Sequence, residues 1–187
     1  MYICIEGNIG CGKSSVLKAF AENNFVVFPE PLEKWTLLEE LYRDPEKYAY
    51  PFQLQVVLSQ IETNKAIRRL SRSCVKIMER SAWASKNVFS NVRNWSQSQI
   101  DVLDSCYDLI DVVPEYYIYL DLDPRVCHQR IAQRNRFEER NISLDYLIRL
   151  DERYKEELSK LKNTIVIDCG SMTTEQIVKN IRDILAI

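Results

Sequence analysis

Residues 7 to 14 read Gly-Asn-Ile-Gly-Cys-Gly-Lys-Ser, a complete G-x-x-x-x-G-K-[ST] phosphate loop. The flanks are those the motif requires. A short apolar run (Tyr2, Ile3, Cys4, Ile5) leads in, and a helix-like stretch from Lys13 to about Glu22 leads out. Gly7, Gly10 and Gly12 permit a tight turn, so that the backbone N–H groups of Asn8, Ile9, Cys11 and on to Ser15 can point at phosphate oxygens with the helix N-terminus behind them. Lys13 would add a cation at the β- and γ-phosphates, and the Ser14 hydroxyl would be a ligand for Mg²⁺. The alternative is a chance match or a loop that once bound nucleotide. A strand and a helix in the right places favour a nucleotide-binding protein.

The 187 residues, 46 % hydrophobic and 28 % charged, suit one domain around a single core, spanning 1–187. A net charge of −2 gives no basic field for nucleic acid or a membrane surface, and no apolar run reaches the length of a membrane span. Six scattered cysteines (Cys4, Cys11, Cys74, Cys106, Cys127, Cys169) form no C-x-x-C pair and stand beside one histidine, His128, which excludes the usual zinc patterns. Reduced thiols and a first strand that begins at residue 2, leaving no room for a signal or transit peptide, lead us to expect a cytoplasmic or other reducing intracellular setting.

Short β-rich runs alternate with helical ones. Tyr2–Ile5, Phe25–Phe28, Val75–Met78, Tyr116–Leu122 and Thr164–Ile167 read as strands, and their near-continuous apolar character suits parallel strands covered on both faces. Pro51 to Leu70 has helical spacing (Leu54, Val57, Leu58, Ile61), as do Leu147, Leu150, Tyr154, Leu158 and Leu161. Asp123-Pro124 reads as an N-cap followed by Pro at the first helical position, and Thr173…Gln176 as a capping box before Ile177, Ile181 and Leu185. The pattern predicts an α/β fold, a doubly wound sheet of five parallel strands with ligands at the strands' C-terminal ends.

Chemistry is therefore sought after the strands. The second is followed by Pro29-Glu30-Pro31-Leu32-Glu33-Lys34-Trp35. Glu30 is placed to accept a proton from an attacking hydroxyl while Trp35 walls an apolar pocket; equally, the pair reads as a solvated loop carboxylate and a core indole. The third ends in Met78-Glu79-Arg80-Ser81, where Glu79 occupies the place of a second Mg²⁺-side carboxylate and Arg80 can brace a transferring phosphoryl group. A surface Glu–Arg pair is the plain alternative. After the fourth come Arg125, Arg130, Arg134, Arg136 and Arg140, either a solvated helix face or short nucleic-acid contact, or a lid at about residues 130–140 that closes on ATP.

Taken together these segments resemble the deoxynucleoside kinase family, the group of mitochondrial thymidine kinase, deoxycytidine and deoxyguanosine kinases and the broad-specificity insect enzyme. The resemblance rests on Glu6 to Ser14, Glu30-Pro31-Leu32-Glu33-Lys34-Trp35, Leu41-Tyr42-Arg43-Asp44-Pro45, Pro51-Phe52-Gln53, Glu79-Arg80-Ser81, and Gln133-Arg134-Asn135-Arg136-Phe137-Glu138-Glu139, in the family's order across roughly residues 2 to 160. It implies phosphorylation of a deoxynucleoside 5′-hydroxyl by ATP with Mg²⁺. By that similarity Glu30 is the general base with Arg80 beside it, and Ser14 and Glu79 hold the metal directly or through water. Arg130, Arg134 and Arg136 are the lid, and Tyr42 and Glu139 bond the sugar 3′-hydroxyl. Gln53, next to Phe52, pairs with the base edge as donor and acceptor, and Trp35 and Phe89 sandwich the ring. Val56, Gln60 and Ser85 match positions near the base. Purine- and deoxycytidine-preferring relatives often carry Arg and Asp at the last two, which points here to pyrimidine deoxynucleosides, thymidine and deoxycytidine, with breadth, although Gln60 is atypical of thymidine-preferring relatives.

The resemblance also implies a homodimer through helices on one side of the sheet, for which Gln53–Leu70 and the stretch from Ala82 to Trp95 carry apolar residues. Two rivals share the phosphate loop. A nucleoside monophosphate kinase of the thymidylate type would share the sheet and arginine lid but has no need of a base at Glu30. A non-catalytic nucleotide switch or binding module has no use for the Glu30–Trp35 pocket, and the chain lacks an obvious N/T-K-x-D guanine motif.

Overall fold

The apolar run before the phosphate loop becomes the central strand of a parallel sheet. In the computed structural model, which describes residues 1–71, 73–90 and 94–187, the strands are β1 (Tyr2–Gly7), β2 (Val26–Phe28), β3 (Lys76–Glu79), β4 (Tyr116–Asp121) and β5 (Thr164–Asp168). They pair in the order β2-β3-β1-β4-β5, all parallel. The order turns outward from β1 in both directions, so the loop after β1 opens at the switch point where such sheets bind ligands. Phe25, Val75 and Leu122, expected at strand ends, lie just outside them, and β3 runs on to Glu79.

Alternation along the strands sorts side chains to two buried faces. Ile3, Ile5, Ile77, Ile118, Leu120 and Ile167 join Val16, Leu17 and Phe20 of α1 (Lys13–Glu22) and Ile177, Val178 and Ile181 of α8 (Thr174–Leu185). On the opposite face Tyr119 packs with Ala84 and Val88 and with Leu150, Tyr154 and Leu158 of α7 (Leu144–Leu158). Tyr2 and Met78 meet Ile67 of α3 (Pro45–Arg69) on that side. All six cysteines are free.

Three helical segments depart from the sequence expectation. α3 starts at Pro45 rather than Pro51: the Asp44 carboxylate accepts from the Lys47 N–H at 3.3 Å, the same Asp-Pro signature that opens α6 (Pro124–Arg134). Pro51 therefore lies inside the helix. α2 (Leu38–Arg43) and α5 (Gln97–Tyr107) have no counterpart in the sequence reading. α5 buries only Leu103 and Tyr107, too sparse a stripe to register as helical period, although its Ser96–Gln99 capping box was there to be read. Between them, α4 (Ala82–Ala84) widens into a π-helical turn over Ser85–Phe89. Part of the proposed Ala82–Trp95 dimer stretch, residues 91–93, lies outside the described residues.

The phosphate loop lies between β1 and α1, tight against its neighbours. Gly10 has φ +84°, and a Cβ there would stand 2.7 Å from the Cys127 carbonyl oxygen and 3.0 Å from the Ile131 side chain. Gly10→Ala should therefore cost at least about 1–3 kcal/mol in chemical denaturation, since both the left-handed backbone and the fixed carbonyl resist a methyl group. Gly170→Ala, meeting only the movable Asp168 carboxylate at 3.2 Å, should cost far less. Equal losses would show that the loop yields.

Candidate active site

Two cavities open at the C-terminal ends of the strands. The larger, about 420 Å³, is floored by residues 10–16 of the loop and first helix turn, and Arg130, Arg134 and Arg136 also line it. The first two arginines stand on one face of α6, as their spacing of four requires. Arg130 donates to the Cys11 carbonyl oxygen at 3.2 Å, and Arg134 and Arg136 both pair with Glu139. Arg125 and Arg140 do not reach this wall. Lys13, 4 % exposed, folds its ammonium onto the Asn8 carbonyl oxygen at 2.9 Å. The Ser14 hydroxyl donates to Glu79 Oε1 at 2.9 Å, which puts two hard oxygen donors side by side on the cavity wall, a pairing suited to Mg²⁺.

A chain of buried polar groups sits behind this wall. Glu6, fully buried at the end of β1, accepts from the Ser81 N–H at 2.8 Å, the Ser81 hydroxyl at 2.5 Å and the Tyr154 hydroxyl at 3.1 Å. Arg80 in turn donates to the Tyr154 hydroxyl at 2.6 Å and forms a short ion pair with Glu30. Burial alone would lower the Arg80 pKa, but Glu30, Tyr154 and Glu6 outweigh it and the net shift is well upward, so the guanidinium stays charged. Arg80 holds φ +60°, an uncommon conformation for a side-chain-bearing residue, and these partners fix it there. The sequence reading assigned no role to Glu6 beyond its place in the motif and took Tyr154 for an apolar contact.

The second cavity, about 70 Å³, is walled by Ile9, Trp35, Leu38, Leu41, Tyr42, Phe52, Gln53, Val56, Arg80, Ser85, Phe89 and Tyr146, with Glu30, Leu32 and Glu139 shared with the first. All the residues expected around an acceptor come together here except Gln60. Gln60 instead turns to a separate cavity of about 190 Å³ between α3 and the segment after α5, and its Nε2 donates to the Ser85 hydroxyl at 2.7 Å. Trp35 lies edge-on to Phe52 (centroids 5.7 Å apart) and anchors its indole N–H on the Ser59 hydroxyl at 3.1 Å. Phe89 carries the Arg80 guanidinium 4.2 Å over its ring. Tyr42 is half-buried beside Tyr146 and Glu139, and desolvation foremost pushes its phenol pKa well up, so it stays protonated and able to donate.

Some wall residues went unseen in the sequence. Cys169, Met172, Thr173, Thr174 and Ile177 close the far side of the phosphate-side cavity. Their signal was present, since they follow β5, but Thr173 was read only as a helix cap, which it also is (Gln176 N–H to Thr173 Oγ1, 3.3 Å). Leu38 had no signal beyond being apolar, and Leu32 and Leu41 stood only as members of the segments around Glu30 and Tyr42.

The model of the family described as deoxynucleoside kinase matches residues 3–185. The chain belongs to the deoxynucleoside kinase family. Protein 143R of Invertebrate iridescent virus 6, which carries a kinase name, is 38 % identical over 180 residues, covering 94 % of this chain and 91 % of that one. The thymidine kinase of Ictalurid herpesvirus 1 is 34 % identical over 204 residues, covering 99 % and 86 %. Among solved structures, a deoxyadenosine kinase from M. mycoides with bound dATP has a TM-score of 0.85 at 21 % identity over 100 % of both chains, a likeness of fold. The protein is accordingly an ATP-dependent deoxynucleoside kinase, and among its described residues no helix is long and apolar enough to cross a membrane.

Within this kinase site Glu79 is the carboxyl whose protonation is displaced. Burial, then the charge of Glu30, raises its pKa above the usual glutamate range, against the pull of Lys13, the Ser14 bond and Arg80. The folded state thus binds this proton more tightly than the unfolded state does. Its contribution to stability is gained as pH falls through the raised value, is complete below the ordinary one, and is lost as pH rises. Glu79→Gln removes that penalty, so without nucleotide the variant's melting temperature should exceed wild type most near about pH 7, the difference shrinking toward about pH 4. A difference independent of pH in thermal unfolding would show that Glu79 is not the shifted group.

Proposed function

We propose that the protein transfers the ATP γ-phosphoryl group to the 5′-hydroxyl of a deoxynucleoside, with pyrimidine deoxynucleosides (thymidine and deoxycytidine) preferred over a broad range. The observation that carries this is the position of Glu30. Its carboxylate stands on the wall of both cavities, with the phosphate loop on one side and the aromatic pocket on the other. A hydroxyl presented from the aromatic pocket would meet a carboxylate able to take its proton as it attacks phosphorus, and Arg80 holds that carboxylate in place. A phosphate acceptor, as in a thymidylate-type kinase, would be repelled by the same group.

Phosphoryl transfer asks the protein for position and charge rather than covalent chemistry. Lys13 would leave the Asn8 carbonyl for the β- and γ-phosphates. Arg130, Arg134 and Arg136 would act as a lid that clamps them and excludes water. Ser14 and Glu79 would hold Mg²⁺, directly or through water; when bound, the ion neutralises charge on the phosphate oxygens. Tyr42 and Glu139 would take the sugar 3′-hydroxyl, and because Glu139 also holds Arg134 and Arg136, sugar binding and lid position would be linked. Trp35, Phe52 and Phe89 supply apolar wall for the base with Gln53 at its edge. The neutral Gln60–Ser85 bond, in place of an Arg–Asp pair, supports the pyrimidine preference. A homodimer is supported by apolar side chains left in the open on α3 (Leu58) and α5 (Ile100, Val102).

ATP-dependent turnover across deoxynucleosides, ribonucleosides and thymidine monophosphate tests this directly. Turnover confined to deoxynucleosides is expected; turnover of the monophosphate alone would replace this function with the rival kinase. Glu30→Gln should lower kcat by about 10²–10⁴-fold while deoxynucleoside affinity stays close to wild type, as removal of a general base does. A kcat near wild type would take Glu30 out of that role.

A further inference from the structure

Arg80 meets Glu30 through a single nitrogen. Nε donates to Glu30 Oε1, Nη1 donates to the Tyr154 hydroxyl at 2.6 Å, and the guanidinium lies 4.2 Å over the Phe89 ring. Among the described residues no hydrogen bond engages Arg80 Nη2 or Glu30 Oε2, and both side chains line the aromatic cavity. A guanidinium and a carboxylate that are free to turn match as two forks, with parallel N–H bonds to both oxygens. On the Nε edge the second bond of that fork would run from Nη2 to Glu30 Oε2. Here the far end of the guanidinium is held instead. Arginine only donates, so the Tyr154 oxygen accepts from Nη1 and the phenol's own proton goes to Glu6 Oε2 at 3.1 Å. Burial foremost raises the Tyr154 pKa well above its ordinary value, which keeps that proton in place. Glu6 is fully buried and is itself fixed by the Ser81 N–H and hydroxyl.

We propose that Tyr154 is a positioning residue for phosphoryl transfer: its hydroxyl, anchored on Glu6, restrains Arg80 to a one-nitrogen contact with Glu30 and so leaves Glu30 Oε2 open to the proton of the acceptor hydroxyl. The proposal rests on Glu30 serving as the base, as set out above. A carboxylate closed in a fork has both oxygens engaged, and a strong charge-assisted bond must break before it can take a proton. With Nη1 held at Tyr154, Glu30 is oriented by one oxygen and works with the other. The aromatic wall that receives the nucleoside takes no part in the restraint, so its loss would slow the chemical step and spare binding.

Tyr154→Phe removes the hydroxyl and keeps the ring. Its kcat should fall by about tenfold or more while the deoxynucleoside KM stays within about threefold of wild type. A kcat near wild type in the folded variant, or a KM that rises as much as kcat falls, would overturn the proposal. In a Glu30→Gln background no base is left to keep open, so adding Tyr154→Phe should lower kcat by less than about threefold further. A further loss as large as in the wild-type background would show that the phenol acts independently of Glu30, as a purely structural residue does.

Guanidinium hydrogen exchange by NMR needs no turnover and reads the restraint in the wild-type protein, whether or not the variant folds. A hydrogen on Arg80 Nη1 should exchange at least about tenfold more slowly than those on Nη2. In Tyr154→Phe the order should reverse, because Nη1 loses its partner and Nη2 closes on Glu30. Equal exchange at the two nitrogens in the wild type would overturn the restraint. The expected exchange pattern combined with a Glu30→Gln variant of unchanged kcat would instead place the failure in the base assignment and leave the restraint standing.

Discussion

A charged guanidinium buried between two carboxylates organises this molecule. Arg80, 6 % exposed, cannot remain inside without partners, since an unpaired buried charge costs several kcal/mol. Its partners come from distant parts of the chain: Glu30 after β2, Tyr154 on α7, and Glu6 on β1 through Tyr154. The Ser81 backbone and hydroxyl close the same network on Glu6. The ends of three strands and one helix are thus tied at one point, and that point is the seam between the phosphate-side cavity and the aromatic one. The positive φ at Arg80 is the local conformational cost of aiming its side chain at all three.

The two cavities divide the chemistry by polarity. One is lined by loop N–H groups, Lys13 and arginines, the other by indole, phenyl and aliphatic side chains, and Glu30, Leu32 and Glu139 are common to both. A reacting hydroxyl and a phosphoryl group brought from opposite sides would meet where the dielectric is low and the fixed charges are already in place. Glu139 gives the arrangement a second link. It is itself buried, and it is held by two arginines that line the phosphate side, so the walls of the two cavities are tied together at this residue.

Much of this was legible in the chain. The phosphate loop, the five parallel strands, the acidic residue after β2 and the one that ends β3 follow from local pattern, because each is written in consecutive residues whose periodicity or motif reports its own environment. The arginines were visible as a cluster, yet their two readings, solvated face or cavity wall, differ only in what stands opposite. α5 is faint in sequence because its buried stripe is two residues deep, and the start of α3 is masked by Pro51, since an interior proline carries the same local signal as a first-turn proline.

What the sequence by itself determined is the fold class, the phosphate-binding end and the identity of most wall residues, all properties of local spacing. The tertiary structure alone decided which way those residues face and what they have left to offer. Gln60, four residues from Val56 and one helical turn along α3, turns from the aromatic cavity to bond Ser85. Gln53, which does line the aromatic cavity, has its donors consumed by a carbonyl in a π-turn and a phenol on an unforeseen helix. Tyr154 became the hinge of a charge network rather than an apolar contact. Hydrogen-bond partners lie 25 to 148 residues apart in these cases, and a pairing over that distance leaves no trace in any local window of the chain.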